Sequence, residues 1–144
     1  MEIGTSLGIS TLYQSLPVKD SKFVTMEGCP QTAKIARENF SKFNRENIEL
    51  IEGNFDRTLA EALKKILTVD YIFFDGNHQK NPTISYFEQC LPLAHNDTPA
   101  TVGGILFVSF AVAAALHRQP TLIGAGIAPE GVSVAHSLLR MFSY

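Results

Sequence analysis

The sequence predicts an α/β protein with an open, mostly parallel sheet and helices on both of its faces. Short apolar runs alternate four times with segments whose apolar residues follow helical spacing. This alternation is typical of successive strand–helix–strand units, whose right-handed connections make the strands parallel. Sheets of this kind bind ligands at the carboxyl ends of their strands. The 144 residues have the length of one domain.

The predicted strands are short and apolar. The first is only a stub at residues 2–4, and almost nothing precedes it, so the sheet is expected to be incomplete. The clearest strand is residues 69–75, which contains Tyr-Ile-Phe-Phe and is predicted to be buried. Two further strands are predicted at residues 22–27 and 48–52, and residues 104–110 are the candidate for a fifth strand.

Four helices are predicted between these strands, at residues 9–16, 30–43, 56–67 and 82–93. Pro30 suits the first turn of the second helix, and Asp56 is interpreted as the cap of the third. The expected core face of the fourth helix consists of Ile84, Phe87, Cys90 and Leu91.

The composition excludes several classes of function. A formal net charge of −2 provides no basic field for nucleic acid. Cys29 and Cys90 form neither a disulfide framework nor a zinc motif with the histidines, and free thiols suit a reducing compartment. The first residues show no signal-peptide pattern. We therefore expect a cytoplasmic protein with neither a nucleic acid nor a membrane as its partner.

Charge is distributed unevenly along the chain, because only three of the 26 charged side chains lie in residues 98–144. We predict a ligand-binding βαβ core over residues 1–98 and a divergent, charge-poor tail over residues 99–144 that includes the possible fifth strand. The apolar run at residues 101–116 is shorter than the ~20 residues that a membrane-spanning helix needs. A buried strand and helix are favoured over membrane association.

The first turn is the strongest indication of a ligand site. Glu2-x-Gly4-x-x-x-Gly8 predicts a strand that leads through a glycine turn into a helix, where free N–H groups face a ligand. Glu27 ends the next strand, 19 residues after Gly8. A carboxylate at about that distance is typical of βαβ units that bind the ribose of a nucleotide. The alternative is that Glu27 is only an exposed strand end.

The turns after the third and fourth strands carry the other candidates. Asn54 could hydrogen-bond a nucleobase and Phe55 could lie against it, although Asn54 also fits an ordinary turn. Asp75 and His78 follow the fourth strand, where this topology places its reaction centre. His78 could act as a base near neutral pH, and Asp75 could orient it or contact a cofactor. A histidine in a loop is otherwise a surface residue.

These motifs together resemble class I S-adenosylmethionine-dependent methyltransferases, most closely the small-molecule O-methyltransferase-like branch. The motifs that carry the resemblance are Glu2-x-Gly4-x-x-x-Gly8-x-Ser10-Thr11, Glu27, Gly53-Asn54 and Asp75-Gly76-x-His78. The resemblance covers about residues 1–98. It implies a Rossmann-like fold, S-adenosylmethionine as cofactor and methyl transfer to a small-molecule acceptor, with catalysis mostly by positioning.

The resemblance assigns roles to individual residues. The first turn would wrap the methionine part of the cofactor, and Glu2 would lie under its amino group or brace the loop. Glu27 would hold the ribose, and Asn54 stands where the family often has an acidic residue that contacts the adenine. Asp75 would face the methionine end of the cofactor and the acceptor, and with His78 it forms the candidate catalytic pair. The cofactor-binding candidates are Glu2, Gly4, Thr5, Ser6, Gly8, Ser10, Thr11, Glu27, Gly28, Asn54, Phe55 and Asp75.

Two departures from the family pattern leave alternatives open. Family members have an N-terminal helical segment and a full first strand, so the chain is expected to be truncated there. The acidic residues expected after the fifth strand are replaced by Ser109-Phe110-Ala111, so no metal site is expected. One alternative is a truncated, inactive cofactor-binding domain, and a missing helix would also favour a homodimer. An NAD-binding dehydrogenase is less favoured, because its fingerprint needs glycine at Ser6 and Ile9.

Overall fold

The computed structural model describes residues 1–18, 20–95, 98–102 and 106–109, which form one sheet with helices packed against it. The strands are β1 (Glu2–Ile3), β2 (Phe23–Glu27), β3 (Ile48–Glu52), β4 (Ile72–Phe74), β5 (Pro99–Val102) and β6 (Leu106–Ser109). The helices are α1 (Ile9–Ser15), α2 (Pro30–Lys42), α3 (Phe55–Lys64) and α4 (Lys80–Cys90), and a 3-10 turn at Leu91–Leu93 follows α4.

The strands lie in the order β3-β2-β1-β4-β5-β6, and all neighbours are parallel except β5 and β6. The chain steps outward from β1 to β3 and then crosses back to β4. Right-handed connections therefore put α1 and α2 on one face and α3 and α4 on the other. Leu12 and Phe40 belong to the apolar cluster of the first face, and Leu59 and Cys90 to that of the second. The predicted Rossmann-like, mostly parallel sheet is confirmed.

The fifth strand lies earlier in the chain than the sequence predicts. Pro99–Val102 pairs in parallel with β4, whereas Leu106–Ser109 pairs antiparallel with β5. Residues 106–109 of the predicted segment 104–110 do form a strand, but it is the sixth along the chain, so its assignment as the fifth strand is wrong. The segment Pro-Ala-Thr-Val lacks the apolar run of a buried strand, so the pattern did not reveal it. Parallel neighbours need a crossover of a dozen or more residues. Because only three residues separate β5 from β6, these two strands pair antiparallel.

Helix α3 begins before its predicted cap. Asn54 is the N-cap, and its Oδ1 accepts a hydrogen bond from the N–H of Asp56 at 2.8 Å. Asp56 lies in the first turn of the helix, so the prediction that it caps α3 is wrong. Asparagine and aspartate cap helices about equally well, and the sequence has one of each at this boundary. The backbone turn at Gly53, with φ 139°, brings Asn54 into the cap position.

The charge-poor tail is only partly described. It contains β5 and β6, while residues 103–105 and 110–144 lie outside the described residues. The boundary after residue 98 stays a prediction. In the described ranges no helix has both the length and the apolar character to cross a membrane. The same ranges contain no group of three or more His, Cys, Asp or Glu side chains arranged to hold a metal ion.

A glycine at the start of α1 lets the two helices of one face meet. Gly8 is the N-cap of α1 and has φ 79°, in the left-handed region. A Cβ atom at this position would lie 2.5 Å from Cε1 of Phe40, a buried side chain of α2. The absence of a side chain at Gly8 therefore sets how closely α1 approaches α2.

We expect Gly8→Ala to lower the free energy of unfolding by about 2–4 kcal/mol, because left-handed strain and overpacking against Phe40 add together. Gly28→Ala is the matched control. Gly28 is not in the left-handed region, and the nearest atom to a Cβ there would be 3.8 Å away. Its substitution should change stability by less than about 0.5 kcal/mol. Denaturant unfolding measures the stability of both variants. Equal free energies of unfolding for Gly8→Ala and Gly28→Ala would contradict the packing argument.

Candidate functional site

The turns after β1, β2 and β4 meet at one edge of the sheet. Ile3 lies in register with Met26 of β2 and with Phe74 of β4. Immediately beyond, the N–H of Gly4 donates to the carbonyl of Met26 at 3.0 Å, and the N–H of Asp75 donates to that of Ile3 at 2.8 Å. The three strands therefore end level with one another. Their turns form the carboxyl edge, where such sheets bind ligands.

Gly4 brings the first turn into contact with the end of β4. Its φ is 98°, and a Cβ atom there would lie 2.5 Å from the carbonyl oxygen of Asp75 and 2.8 Å from the nitrogen of Gly76. Main-chain atoms cannot move aside as the end of a side chain can, so this contact requires glycine. The predicted cofactor turn and the turn with the predicted catalytic residues thus form one surface.

The carboxylate of Glu2 points into the protein, toward α1, and has no exposed surface. Four side chains donate to it: Ser10 Oγ at 2.8 Å, Gln14 Nε2 at 3.0 Å, Thr25 Oγ1 at 2.8 Å and Thr11 Oγ1. These donors belong to α1 and β2, so the carboxylate ties β1 to both elements. Of the two roles that the resemblance implies for Glu2, this geometry favours bracing of the loop.

The same network engages other predicted cofactor residues. The hydroxyls of Ser10 and Thr11 donate to Glu2, and the buried Thr5 Oγ1 lies 2.6 Å from Thr25 Oγ1. Burial raises the pKa of the Glu2 carboxyl above its ordinary value of 4.5, while the hydrogen bonds that it accepts act in the opposite direction. Direct contact of these side chains with a cofactor stays a prediction.

Glu27 joins the turns after β1 and β2. Its Oε2 accepts the N–H of Ser6 at 2.8 Å, and its Oε1 accepts the N–H of Cys29 at 2.9 Å. Ser6 has φ 51°, so its hydrogen bond to Glu27 helps to hold a left-handed turn. The carboxylate is half-buried, and Gly28 beside it is exposed. A carboxylate offers about four acceptor positions, so two backbone bonds leave room for further donors such as ligand hydroxyls.

The turn after β3 contributes an aromatic side chain to this edge. Phe55 is half-buried, and its ring packs on Gly76, where a Cβ atom would lie 2.5 Å from the ring. The ring also meets Tyr86 edge-on, with centroids 6.3 Å apart and an interplanar angle of 85°. Asn54 is exposed, and its Oδ1 is used to cap α3. A contact between Asn54 and a nucleobase would therefore depend on Nδ2.

The turn after β4 carries the predicted catalytic pair. Asp75 is half-buried beside Gly4, whereas His78 is exposed at the far end of the turn. Asn77 lies between them with φ 59°, and its Nδ2 donates to the hydroxyl of Tyr86 at 3.2 Å. The structure thus places Asp75 against the first turn and His78 in contact with solvent.

Sequence reasoning missed Tyr86 beside the site and gave Asp56, its hydrogen-bond partner, only a capping role. The predicted core face of α4 omits Tyr86, yet only 2% of it is exposed, and its hydroxyl donates to Asp56 Oδ1 at 3.0 Å. Among the side chains of α4 that the structure describes, the buried ones are Thr83, Tyr86 and Cys90. Their i, i+3, i+7 spacing was the available signal, but threonine and the tyrosine hydroxyl weakened its apolar character.

The variant Glu2→Gln tests the protonation of the buried carboxyl. Because its pKa is raised in the folded state, this group makes stability fall as pH rises from about 4.5 through the folded pKa. Glutamine does not titrate. The stability advantage of the wild type over Glu2→Gln should therefore be largest at acidic pH and shrink as pH rises. Denaturant unfolding across this range measures it. If the stability advantage of the wild type instead grew with pH, the hydrogen bonds to Glu2 would lower its pKa by more than burial raises it.

Comparison with known proteins identifies the family. A family model described as a methyltransferase domain matches residues 1–102. An O-methyltransferase from Bacillus cereus in complex with SAH is 31% identical with a TM-score of 0.61, and the match covers 69% of this chain and 46% of that one. A SAH-bound methyltransferase from Podospora anserina is 27% identical with a TM-score of 0.59, over 90% and 50% of the two chains. A comparison with curated proteins gave no match.

The chain spans about half the length of these two structures. The family match includes the turns after β1, β2, β3 and β4. The open, mostly parallel sheet matches the fold of the similar structures. The chain therefore belongs to the family of methyltransferase domains with the class I fold.

Proposed function

We propose that this chain binds S-adenosylmethionine along the turns after β1, β2, β3 and β4, and that it takes part in methyl transfer to a small-molecule acceptor. The observation that carries the proposal is the position of Glu27. Its carboxylate lies at a strand end, bonds to the first turn and retains acceptor capacity. Two similar structures, from Bacillus cereus and Podospora anserina, contain SAH.

The residues at the edge fit this cofactor. Glu27 can accept the two hydroxyl protons of a ribose in addition to its two backbone bonds. Gly4 and Gly8 lack side chains, so the main chain of the first turn can lie close to the methionine part. Phe55 and Asn54 follow β3, where we expect the adenine. These roles are supported by position, because Glu27 is the last residue of β2 and the other residues lie beyond the carboxyl ends of β1 and β3.

The chemistry then depends on positioning. When bound, S-adenosylmethionine supplies a methyl group that is already activated on a sulfonium. Asp75 is the first residue of the turn after β4 and lies against Gly4 of the first turn, and we expect it to orient the groups that meet there. His78 is exposed on the same turn, and we expect it to accept the proton that the acceptor loses. Holding the reacting groups in line supplies most of the acceleration in such a reaction.

Calorimetric titration with SAH and with NAD separates this proposal from the dehydrogenase alternative. We expect SAH to bind and NAD not to bind, because Ser6 and Ile9 stand where the nicotinamide fingerprint has glycine. The family match also favours the methyltransferase. An inactive cofactor-binding domain would bind SAH but would turn over no member of a catechol, hydroxy-acid and amine panel. Cytoplasmic location and homodimer formation stay predictions from the sequence.

We expect Glu27→Ala to weaken SAH binding by about 1–3 kcal/mol, the scale of lost hydrogen bonds to a charged group. Glu52→Ala is the control, because Glu52 is the register partner of Glu27 and its exposed carboxylate pairs with Arg37 at 2.8 Å. The substitution Glu52→Ala should leave SAH affinity unchanged and lower the free energy of unfolding by at most about 1 kcal/mol. Calorimetry measures both affinities. Unaltered binding by a folded Glu27→Ala would show that Glu27 is only a strand end.

With the best acceptor from the panel, we expect His78→Gln to lower kcat by about 100-fold or more, the contribution of a general base. Its affinity for SAH should not change. His95→Gln is the matched control, since His95 is exposed, lies outside the carboxyl edge and pairs with Asp70 at 3.2 Å. Steady-state kinetics provide the measurement. Equal kcat values for the two variants would remove His78 from the catalytic pair.

A further inference from the structure

Tyr86 of α4 reaches two separate turns with one hydroxyl group. The hydroxyl donates to Oδ1 of Asp56 at 3.0 Å and accepts from Nδ2 of Asn77 at 3.2 Å. Burial raises the pKa of the Tyr86 phenol above its usual value of 10, so the group stays protonated and can donate. Asp56 lies in the first turn of α3, and Asn77 lies in the turn after β4. The hydroxyl therefore links elements that are distant in the chain.

The turn after β4 is held in two different ways. Its first residue, Asp75, is held by the main chain, through the bond to Ile3 and the contact with Gly4. Asn77 has φ 59°, a conformation that is costly for a residue with a side chain. Its hydrogen bond to Tyr86 stabilises that conformation, and the exposed His78 follows directly. The position of His78 thus depends on Tyr86 more than on the sheet.

We infer that Tyr86 is a positioning residue whose hydroxyl, held by Asp56, fixes Asn77 and His78 and so sets the acceptor side of the site. The inference rests on the proposed function, which assigns the acceptor to the turn after β4. The cofactor side is built separately, because Glu27 accepts its bonds from main-chain N–H groups of the first two turns. Loss of the hydroxyl should affect the acceptor and leave cofactor binding intact.

The variant Tyr86→Phe removes this hydroxyl with little other change. The ring keeps its place in the core and its edge-on contact with Phe55. Asp56 is exposed, so water can replace the lost donor and no buried charge is left unpaired. Tyr13→Phe is the matched control, because Tyr13 undergoes the same chemical change on α1 with 72% of its surface exposed.

The primary measurement is backbone relaxation by NMR. We expect order parameters near 0.85 for the amides of Asn77 and His78 in the wild type and below about 0.6 in Tyr86→Phe. The amides of Ser6 and Cys29 should not change, and Tyr13→Phe should match the wild type throughout. For function, the Kd for SAH should stay within about twofold, whereas kcat/KM for the acceptor should fall about fivefold to tenfold, the equivalent of one hydrogen bond.

Two further variants separate the hydroxyl link from general damage. Asp56→Ala should also lower kcat/KM for the acceptor, and Asp56→Asn should restore part of it, because an amide oxygen still accepts from Tyr86. Asn77→Gly keeps the left-handed backbone without the side-chain donor. The double variant Asn77→Gly/Tyr86→Phe should lower kcat/KM by less than the product of the two single fold-decreases, since each substitution removes the same hydrogen bond.

Unchanged order parameters for Asn77 and His78 in Tyr86→Phe would overturn the inference. A loss of SAH affinity as large as the loss of kcat/KM would also overturn it, because that result would show a general structural role. Failure of the wild type to bind SAH would instead overturn the proposed function. In that case the relaxation data would still decide whether Tyr86 holds the turn.

Discussion

The buried carboxylate of Glu2 is the interaction on which the rest of this structure depends. Strand β1 has only two residues, yet it lies between β2 and β4 at the centre of the sheet. Burying an ionisable group costs several kcal/mol unless hydrogen bonds compensate. Here hydroxyl and amide donors from α1 and β2 surround the carboxylate. Separating these donors from Glu2 would leave its buried carboxylate without hydrogen bonds, at a large cost in free energy. The network therefore keeps α1, β2 and the first turn in one arrangement.

From this centre, the two sides of the candidate site are built by different means. On the proposed cofactor side, Glu27 is bonded to main-chain N–H groups, and the turns continue the hydrogen-bonding of the sheet. On the proposed acceptor side, Asn77 is joined to Tyr86 and Asp56 through side chains. Main-chain contacts belong to the fold itself, whereas a side-chain link can be altered by one substitution. The acceptor side can therefore change while the sheet stays intact.

Much of the fold could be predicted because it follows from short, repeated patterns. The alternation of apolar runs with helical spacing correctly indicated the parallel sheet, and the glycine and acidic residues marked the strand ends. The position of β5 could not be predicted, since Pro99–Val102 has no strand-like pattern and forms a strand by pairing with β4. The cap of α3 depended on the backbone turn at Gly53, which placed Asn54 rather than Asp56 at the helix start.

The sequence by itself determined the fold class, the order of the turns and most of the residues near the carboxyl edge, because local periodicity and spacing encode them. Only the tertiary structure decided that the carboxylate of Glu2 faces α1 and that Gly4 touches Asp75. It also decided that Tyr86 joins α3 to the turn after β4. These contacts connect residues far apart in the chain. No periodic pattern specifies which distant polar groups meet, because that depends on how the helices and strands pack together.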